Sequence, residues 1–296
     1  MKRIRWGVVA RLTIFGIFTV YFGANLTGAW VFVGRLIHPG CPAAVPLGEN
    51  FSIPEKIQLQ TQDGVSVPAW YYPSQNGAAI ITLGGLGGAL GTALPPAGPL
   101  IEAGFGVLQI GSRACATPVR PVTLGGSEIQ EAAAGLAFLL SRTDIDSGHI
   151  GIFGFSMGGV GAIRTAARHP EIAAVVAEGG YFNLGDDFVE FEVAEPLYRK
   201  VFLVTVAGVF WLRTGNNPWQ ISPLDEIGTL SPRPVLLIYG EHEAVSGRAQ
   251  LQFDAAGEPK ELWVVPGGDH GKNHLVVPDE YTHRIVTFFK TALVSE

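Results

Sequence analysis

Gly151-Ile-Phe-Gly-Phe-Ser-Met-Gly-Gly159 decides the fold of this chain. Apolar Ile150, Ile152 and Phe153 lead into Gly154-Phe155-Ser156-Met157-Gly158, which matches the nucleophile-elbow pattern G-x-S-x-G. Such an elbow is a sharp strand-to-helix turn that lifts a serine hydroxyl clear of a sheet. Glycines two residues before and after the serine are needed because Cβ atoms there would clash with the turn. The segment after it, Val160 to Arg168, reads as a helix whose first amides would sit beneath Ser156 and favour negative charge there.

Outward from the elbow, short apolar runs alternate with helical patterns. Lys56–Leu59 and Val65–Tyr72, joined at Asp63-Gly64, read as a hairpin. Ala78–Leu83, Gly106–Ile110, Ile150–Phe155, Ile172–Ala177, Pro234–Tyr239 and Glu261–Val265 read as buried strands. Ser127–Leu140 has helical periodicity, and Tyr281–Leu293 closes the chain as an amphipathic helix. This alternation predicts an α/β fold with a mostly parallel sheet covered on both faces.

With 296 residues, 47% of them hydrophobic, the chain can build one large core. A formal charge of -6 gives no footprint for nucleic acid. The two cysteines, Cys41 and Cys115, have no metal-ligand spacing and exclude a disulfide-rich scaffold. They are expected to be separate buried thiols, with a Cys41–Cys115 bond open to them only outside the cytoplasm.

The N-terminus carries a different signal. Lys2, Arg3, Arg5 and Arg11 precede 22 uncharged residues, Leu12 to Val33, which is enough to cross a bilayer as a helix. Trp6 and Trp30 lie near its ends as interfacial aromatics would, and the charge bias places the N-terminus in the cytoplasm and the remainder outside. The expected organisation is a basic tip and single-pass anchor over 1–35, a proline-rich linker over 36–53 and a catalytic domain over 54–296. A signal peptide cleaved near Thr27-Gly28-Ala29 and a buried core helix are the rival readings.

A serine hydroxyl becomes a nucleophile when a base takes its proton and an acid orients that base. The chain order for an elbow serine is Ser, then Asp or Glu, then His. Val235-Leu-Leu-Ile-Tyr-Gly-Glu-His-Glu-Ala244 offers Glu243 just past a strand, with Glu241 as rival. Leu262-Trp-Val-Val-Pro-Gly-Gly-Asp-His270 offers His270 in a glycine turn, with His274 as the fallback base and Asp269 as a further rival acid. The oxyanion hole calls for two backbone donors. These are assigned to Met157, directly after Ser156, and to Leu86 in Gly84-Gly85-Leu86-Gly87-Gly88. Arg113 and Arg120, after the fourth strand, fall near the expected pocket rim, where they could meet a substrate carboxylate or be ordinary surface arginines.

With these residues in place, the chain from about 53 to 293 resembles the α/β-hydrolase superfamily. The resemblance rests on the hairpin Ile57-Gln-Leu-Gln-Thr-Gln-Asp-Gly-Val-Ser-Val67, the glycine-rich loop, the elbow, the acid loop Gly240–Val245 and the histidine loop Pro266–Gly271. Within the superfamily it looks like the branch of dienelactone hydrolases, prolyl oligopeptidases and serine aminopeptidases. The resemblance implies an eight-stranded sheet, a Ser156–His270–Glu243 triad, and hydrolysis of an ester, thioester or amide with no cofactor or metal. It also implies that the insert over about 181–230 is a cap. The chain departs from the usual pattern in having Gly84-Gly85 where His-Gly is common and a glutamate where the acid is commonly aspartate.

The insert holds Val201–Leu212, an apolar run too short to span a bilayer, expected as a cap helix or as a patch dipping into a membrane surface. Acidic Asp186, Asp187, Glu190, Glu192 and Glu195 before it read as a solvated face. The expected activity is that of a membrane-anchored, esterase-like serine hydrolase acting on a small-molecule or lipid-like acyl substrate. A peptidase, an acyltransferase and a non-catalytic protein on the same fold are the alternatives.

Overall fold

The computed structural model describes residues 6–88, 90–91, 95–189, 196–245 and 247–294. Eight strands form one sheet: β1 (Glu55–Gln60), β2 (Ser66–Tyr72), β3 (Ala79–Leu83), β4 (Gly106–Ile110), β5 (Ile150–Phe155), β6 (Ile172–Glu178), β7 (Val235–Gly240) and β8 (Lys260–Val265). Their spatial order is β1-β2-β4-β3-β5-β6-β7-β8. The hairpin strands pair antiparallel and β2 joins β4 antiparallel; from β4 to β8 every pairing is parallel. The inner strands β3, β4 and β7 are buried along their whole length, as expected for parallel strands covered on both faces.

Eleven α-helices are described. They are α1 (Trp6–Ile37), α2 (Ala97–Glu102), α3 (Ile129–Leu140), α4 (Met157–Ala166), α5 (Leu184–Val189), α6 (Leu197–Thr214), α7 (Pro223–Glu226), α8 (Glu241–Ala244), α9 (Arg248–Ala255), α10 (Asn273–Val276) and α11 (Pro278–Leu293). One face of the sheet packs against α3, α4 and α9 through residues such as Leu136, Ile163 and Ala249. The other face packs against α2 and α11 through Leu100, Ile285 and Phe289. The insert between β6 and β7 is helical, carrying α5, α6 and α7. It shares a third cluster with the start of α4, in which Leu184, Val206, Val209, Phe210 and Ile221 meet Met157 and Val160.

α1 is long and apolar enough to cross a membrane, by length and composition. Its C-terminal half is no free tether: Ala29, Val33 and Ile37 are buried in the same cluster as α6. Of the expected linker 36–53, residues 36 and 37 still belong to α1, and 38–53 contain no helix or long strand but are tied down at two points. Val45 bridges Gly91, and Cys41 is disulfide-bonded to Cys115. The bond corrects the expectation of two separate thiols. Neither cysteine lies in a strand or α-helix, so hydrophobic periodicity carried no information about their approach; their Cα atoms are 4.9 Å apart, within bridging distance.

Two further expectations change. Arg113 lines the cleft beside the elbow, as expected, but is buried and paired with acids rather than being a surface arginine, whereas Arg120 is exposed. Asp187 is not part of a solvated face: it accepts from the Phe182 N–H at 3.0 Å and from Arg248. Glu190, Glu192 and Glu195 lie outside the described residues.

Candidate active site

β5 delivers Ser156 at φ 56° and ψ -119°, a backbone region that residues with a Cβ rarely occupy. The conformation is held from both sides. The Ser156 N–H donates to the Glu178 carbonyl at 2.8 Å, and the Gly159 and Val160 N–H groups donate to the Ser156 carbonyl at 2.9 and 3.2 Å. The flanking glycines have no room for a side chain. A Cβ on Gly154 would lie 2.0 Å from the Gly158 oxygen, and one on Gly158 would lie 2.2 Å from the Leu83 oxygen. Met157 is the first residue of α4, so its N–H is one of the donors that a helix start leaves without an intrahelical partner.

The loops after β7 and β8 bring the other two groups to the serine. His270 Nε2 is 3.0 Å from Ser156 Oγ, and His270 Nδ1 is 2.6 Å from Glu243 Oε1. With Nδ1–H donating its hydrogen bond to the carboxylate, Nε2 is left as an acceptor for the serine hydroxyl. The second oxygen of Glu243 accepts from the Gly240 N–H at 3.1 Å, which fixes the carboxylate at the start of α8. The imidazole ring rests against Phe155, with ring centroids 5.0 Å apart.

The rival residues have other partners. Glu241 accepts from the Gly267 N–H at 2.8 Å and so ties the acid loop to the histidine loop. Asp269 turns back to its neighbour's backbone, accepting from the His270 N–H at 2.9 Å, and pairs with Lys272 at 3.2 Å. His274, on α10, packs beside Tyr281 with centroids 6.0 Å apart.

The glycine-rich loop after β3 meets Ser156 at Gly85, where a Cβ would lie 3.3 Å from Ser156 Cβ. Leu86 follows with its side chain exposed. This loop, Met157 and Gly158 form part of the wall of a narrow cleft, which Arg113, Glu128 and Glu131 also line. Among the described residues, no group of three His, Cys, Asp or Glu side chains is arranged to hold a metal ion.

The hydrogen bond to Glu243 raises the His270 pKa above the usual histidine value, against the opposing effect of burial. A general base must be neutral to accept a proton, so activity should be lost as pH falls through that pKa. The acid limb of kcat/KM is therefore expected to lie above about 6.5, the ordinary histidine value. In Glu243→Gln the limb should move down, together with a fall in kcat. An unmoved limb in a pH–rate profile would detach Glu243 from the base.

Two features of this site escaped the sequence reading. Gly179-Gly180, at the end of β6, both have positive φ. A Cβ on Gly179 would lie 3.1 Å from His270 Nδ1 and 3.3 Å from Glu243 Oε1, so glycine there lets the pair sit against the sheet. The other is Glu178, the charged last residue of an apolar strand. It is buried, accepts from Asn273 Nδ2 at 2.9 Å and from the Tyr281 hydroxyl, and thereby ties β6 to α10 and α11, just after the histidine loop. Burial pushes its pKa up. Glu178→Ala should cost about 2–3 kcal/mol of stability, because two buried donors lose their acceptor. Glu178→Gln, which keeps one acceptor oxygen, should recover most of that loss in chemical denaturation.

No family model matches the chain. An uncharacterised protein of Mycobacterium tuberculosis (strain CDC 1551 / Oshkosh) is 26% identical over 278 residues, covering 90% of each chain. The alpha/beta hydrolase domain-containing protein WAV2 of Arabidopsis thaliana is 30% identical over 154 residues, covering 50% of this chain and 48% of that protein. Among solved structures, the Pyrococcus furiosus esterase Pf2001 superposes with a TM-score of 0.65 at 24% identity, covering 86% of this chain and 98% of the esterase. The chain has an α/β-hydrolase-like fold, with its eight-stranded, mostly parallel sheet.

Proposed function

We propose that the protein is a serine hydrolase that cleaves a carboxylic ester, thioester or amide through an acyl-serine intermediate, with esterase-like chemistry foremost. The relay from Ser156 Oγ through His270 to Glu243, at 3.0 and 2.6 Å, carries this reading. The likeness to an esterase and to an alpha/beta hydrolase domain protein supports a hydrolase of this class.

In the proposed cycle His270 Nε2 takes the Ser156 proton as Oγ attacks the substrate carbonyl. Glu243 holds the imidazolium by its Nδ1–H. The N–H groups of Met157 and Leu86 stabilise the oxyanion. His270 then gives its proton to the leaving group, and water attacks the acyl-serine with His270 again as base. Gly154 and Gly158, which tolerate no Cβ, and Glu178, Gly159 and Val160, which bond to its backbone, keep the hydroxyl in line with the imidazole.

Arg113 is already paired with Glu131 and Asp63, which removes one of the two arginines considered for a substrate carboxylate and weakens the peptidase reading. The substrate is proposed to be a small-molecule or lipid-like acyl compound. α1 is proposed to be a single-pass anchor with a cytoplasmic N-terminus and the hydrolase unit on the other side. The length and composition of α1 and the cysteine pair, a bond of oxidising compartments, support that placement.

A fluorophosphonate probe tests the reading. It should add covalently to Ser156 in the wild type, seen as a modified peptide by mass spectrometry, and the label should segregate with membranes. A folded protein that takes no label, or takes it at another residue, would sink the assignment.

A further inference from the structure

α1 and α6 lie side by side and run in the same direction. The Tyr21 hydroxyl donates to the Tyr198 carbonyl at 3.2 Å near the start of α6. Gly28 faces the Phe202 ring, and the Trp30 carbonyl accepts from Arg213 at 2.9 Å near its end. Ala29, Val33 and Ile37 are buried in one cluster with Val206, Val209 and Phe210, and that cluster also contains Met157 of the elbow.

Before Tyr21, α1 stands bare: every residue from 7 to 20 is exposed. At 1.5 Å per residue this bare stretch is about 21 Å long. The hydrocarbon core of a bilayer is about 30 Å thick. If α1 spans a membrane, as proposed above, the bare stretch falls short by about 9 Å, or about six residues. Counted from Leu12, after Arg11, the shortfall grows to about 16 Å. Residues from Tyr21 onward must complete the crossing, and these are the ones packed beside the start of α6.

The beginning of α6 has the composition such a position needs. Leu197, Tyr198 and Val204 are 78%, 64% and 54% exposed. Positions 197, 201, 204, 208 and 211 share one helix face, occupied by Leu, Val, Val, Gly and Trp. Lys200 stands in the first turn, and a lysine there has a stem long enough to carry its charge to headgroups. The opposite face of the helix carries Val206, Val209 and Phe210, buried in the cluster that holds Ala29 and Val33 of α1 and Met157 of α4.

We propose that the first turns of α6, Leu197 to Val204, insert into the leaflet on the C-terminal side of α1, so that the cap is docked on the bilayer that α1 crosses. The inference rests on α1 being a span. It adds that the cap, whose inner face shares a buried cluster with Met157, is a membrane-facing element of the site.

Depth-dependent quenching tests it. Both native cysteines are paired, so one introduced cysteine can be labelled selectively. Leu197→Cys, Val204→Cys, Ile17→Cys and Leu251→Cys variants of the full chain would carry an NBD fluorophore in phosphatidylcholine–phosphatidylglycerol vesicles with nitroxide lipids. Position 17, on the bare part of α1, is the reference for the span, and position 251, on α9, is the reference for water. Positions 197 and 204 should lose most of their fluorescence to shallow nitroxides, position 17 should lose it to deep ones, and position 251 should be unaffected. Quenching at 17 but not at 197 and 204 would overturn the proposal and leave the anchor standing. No quenching at 17 would remove the anchor and the proposal together. Blue-shifted emission at 197 and 204 without lipid quenching would put a second copy of the chain on this face, and would likewise overturn it.

Discussion

Ser156→Ala is expected to lower kcat on a chromogenic short-chain ester by about a million-fold, while the fold stays intact. Removing the nucleophile of a hydrolytic triad costs on that order because base and acid have no other group to activate. What survives should be a residual acceleration of about 10³–10⁴ over water, from the oxyanion donors and substrate positioning, which do not use Oγ. The geometry supports such a clean separation. The backbone of Ser156 is fixed by the Glu178 carbonyl and by the Gly159 and Val160 N–H groups, none of which involves the hydroxyl. Alanine keeps the Cβ and pays the same conformational strain at φ 56°. Stability should therefore change by no more than about 0.5 kcal/mol in a denaturant titration. A loss of only ten- to a hundred-fold in a folded variant would mean that another group attacks the substrate.

The strands and the elbow were legible because they are local. An apolar run bounded by glycine, as in Val235–Gly240, specifies a buried strand wherever it sits, and Gly154 and Gly158 announce a turn that cannot hold a Cβ. The positions of Glu243 and His270 could be read because each follows such a strand closely. Choosing among neighbouring carboxylates was harder. Glu241 and Glu243 share one short helix, and only the three-dimensional course of the histidine loop sends one to Gly267 and the other to His270. What stayed hidden are contacts between segments far apart in the chain with no period to link them. Cys41 and Cys115 are 74 residues apart, Glu178 meets Tyr281 across 103, and α1 meets α6 across most of the domain. A charged residue ending an apolar strand, such as Glu178, is the one signal that could have marked a buried polar network, because a lone carboxylate there would be too costly to leave unpaired. The burial of Arg113 was hidden for the complementary reason: arginines are mostly exposed, and nothing local shows that three acids converge on this one.

Arg113→Met should cost about 3–5 kcal/mol at pH 8, the penalty for removing one partner of a buried ion pair. Arg113 Nε donates to Glu131 at 2.6 Å, and its Nη2 lies 3.3 Å from Asp63, with Glu128 4.0 Å from Nε. Asp63 is partly exposed and bonds to Thr61, while Glu128 accepts from the Thr123 N–H and hydroxyl and the Gly125 N–H. Both keep partners when the arginine goes. Glu131 does not: it is buried, and its Oε2 has no hydrogen-bond partner. Burial pushes its pKa up to about 7 even beside the guanidinium, with the nearby Glu128 charge adding to the rise. The sign of the pH dependence follows. An acid whose folded pKa is raised binds more protons folded than unfolded, so its contribution to stability falls as pH rises from its unfolded value of about 4.3 through the folded one. Without Arg113 the folded pKa rises further and the decline extends to higher pH. At pH 5 Glu131 is neutral in both proteins, and the difference should shrink to about 1–2 kcal/mol, the worth of the lost hydrogen bonds. Denaturant melts of the two proteins at pH 5 and pH 8 would read the difference directly. The double variant Arg113→Met with Glu131→Leu should regain much of the loss at pH 8, since no buried carboxylate is then left unpaired. A deficit independent of pH, and not relieved by the second substitution, would mean that Arg113 acts by filling space. Its turn also carries Cys115, bonded to the segment after α1, so a loosened turn should be felt as far as that segment.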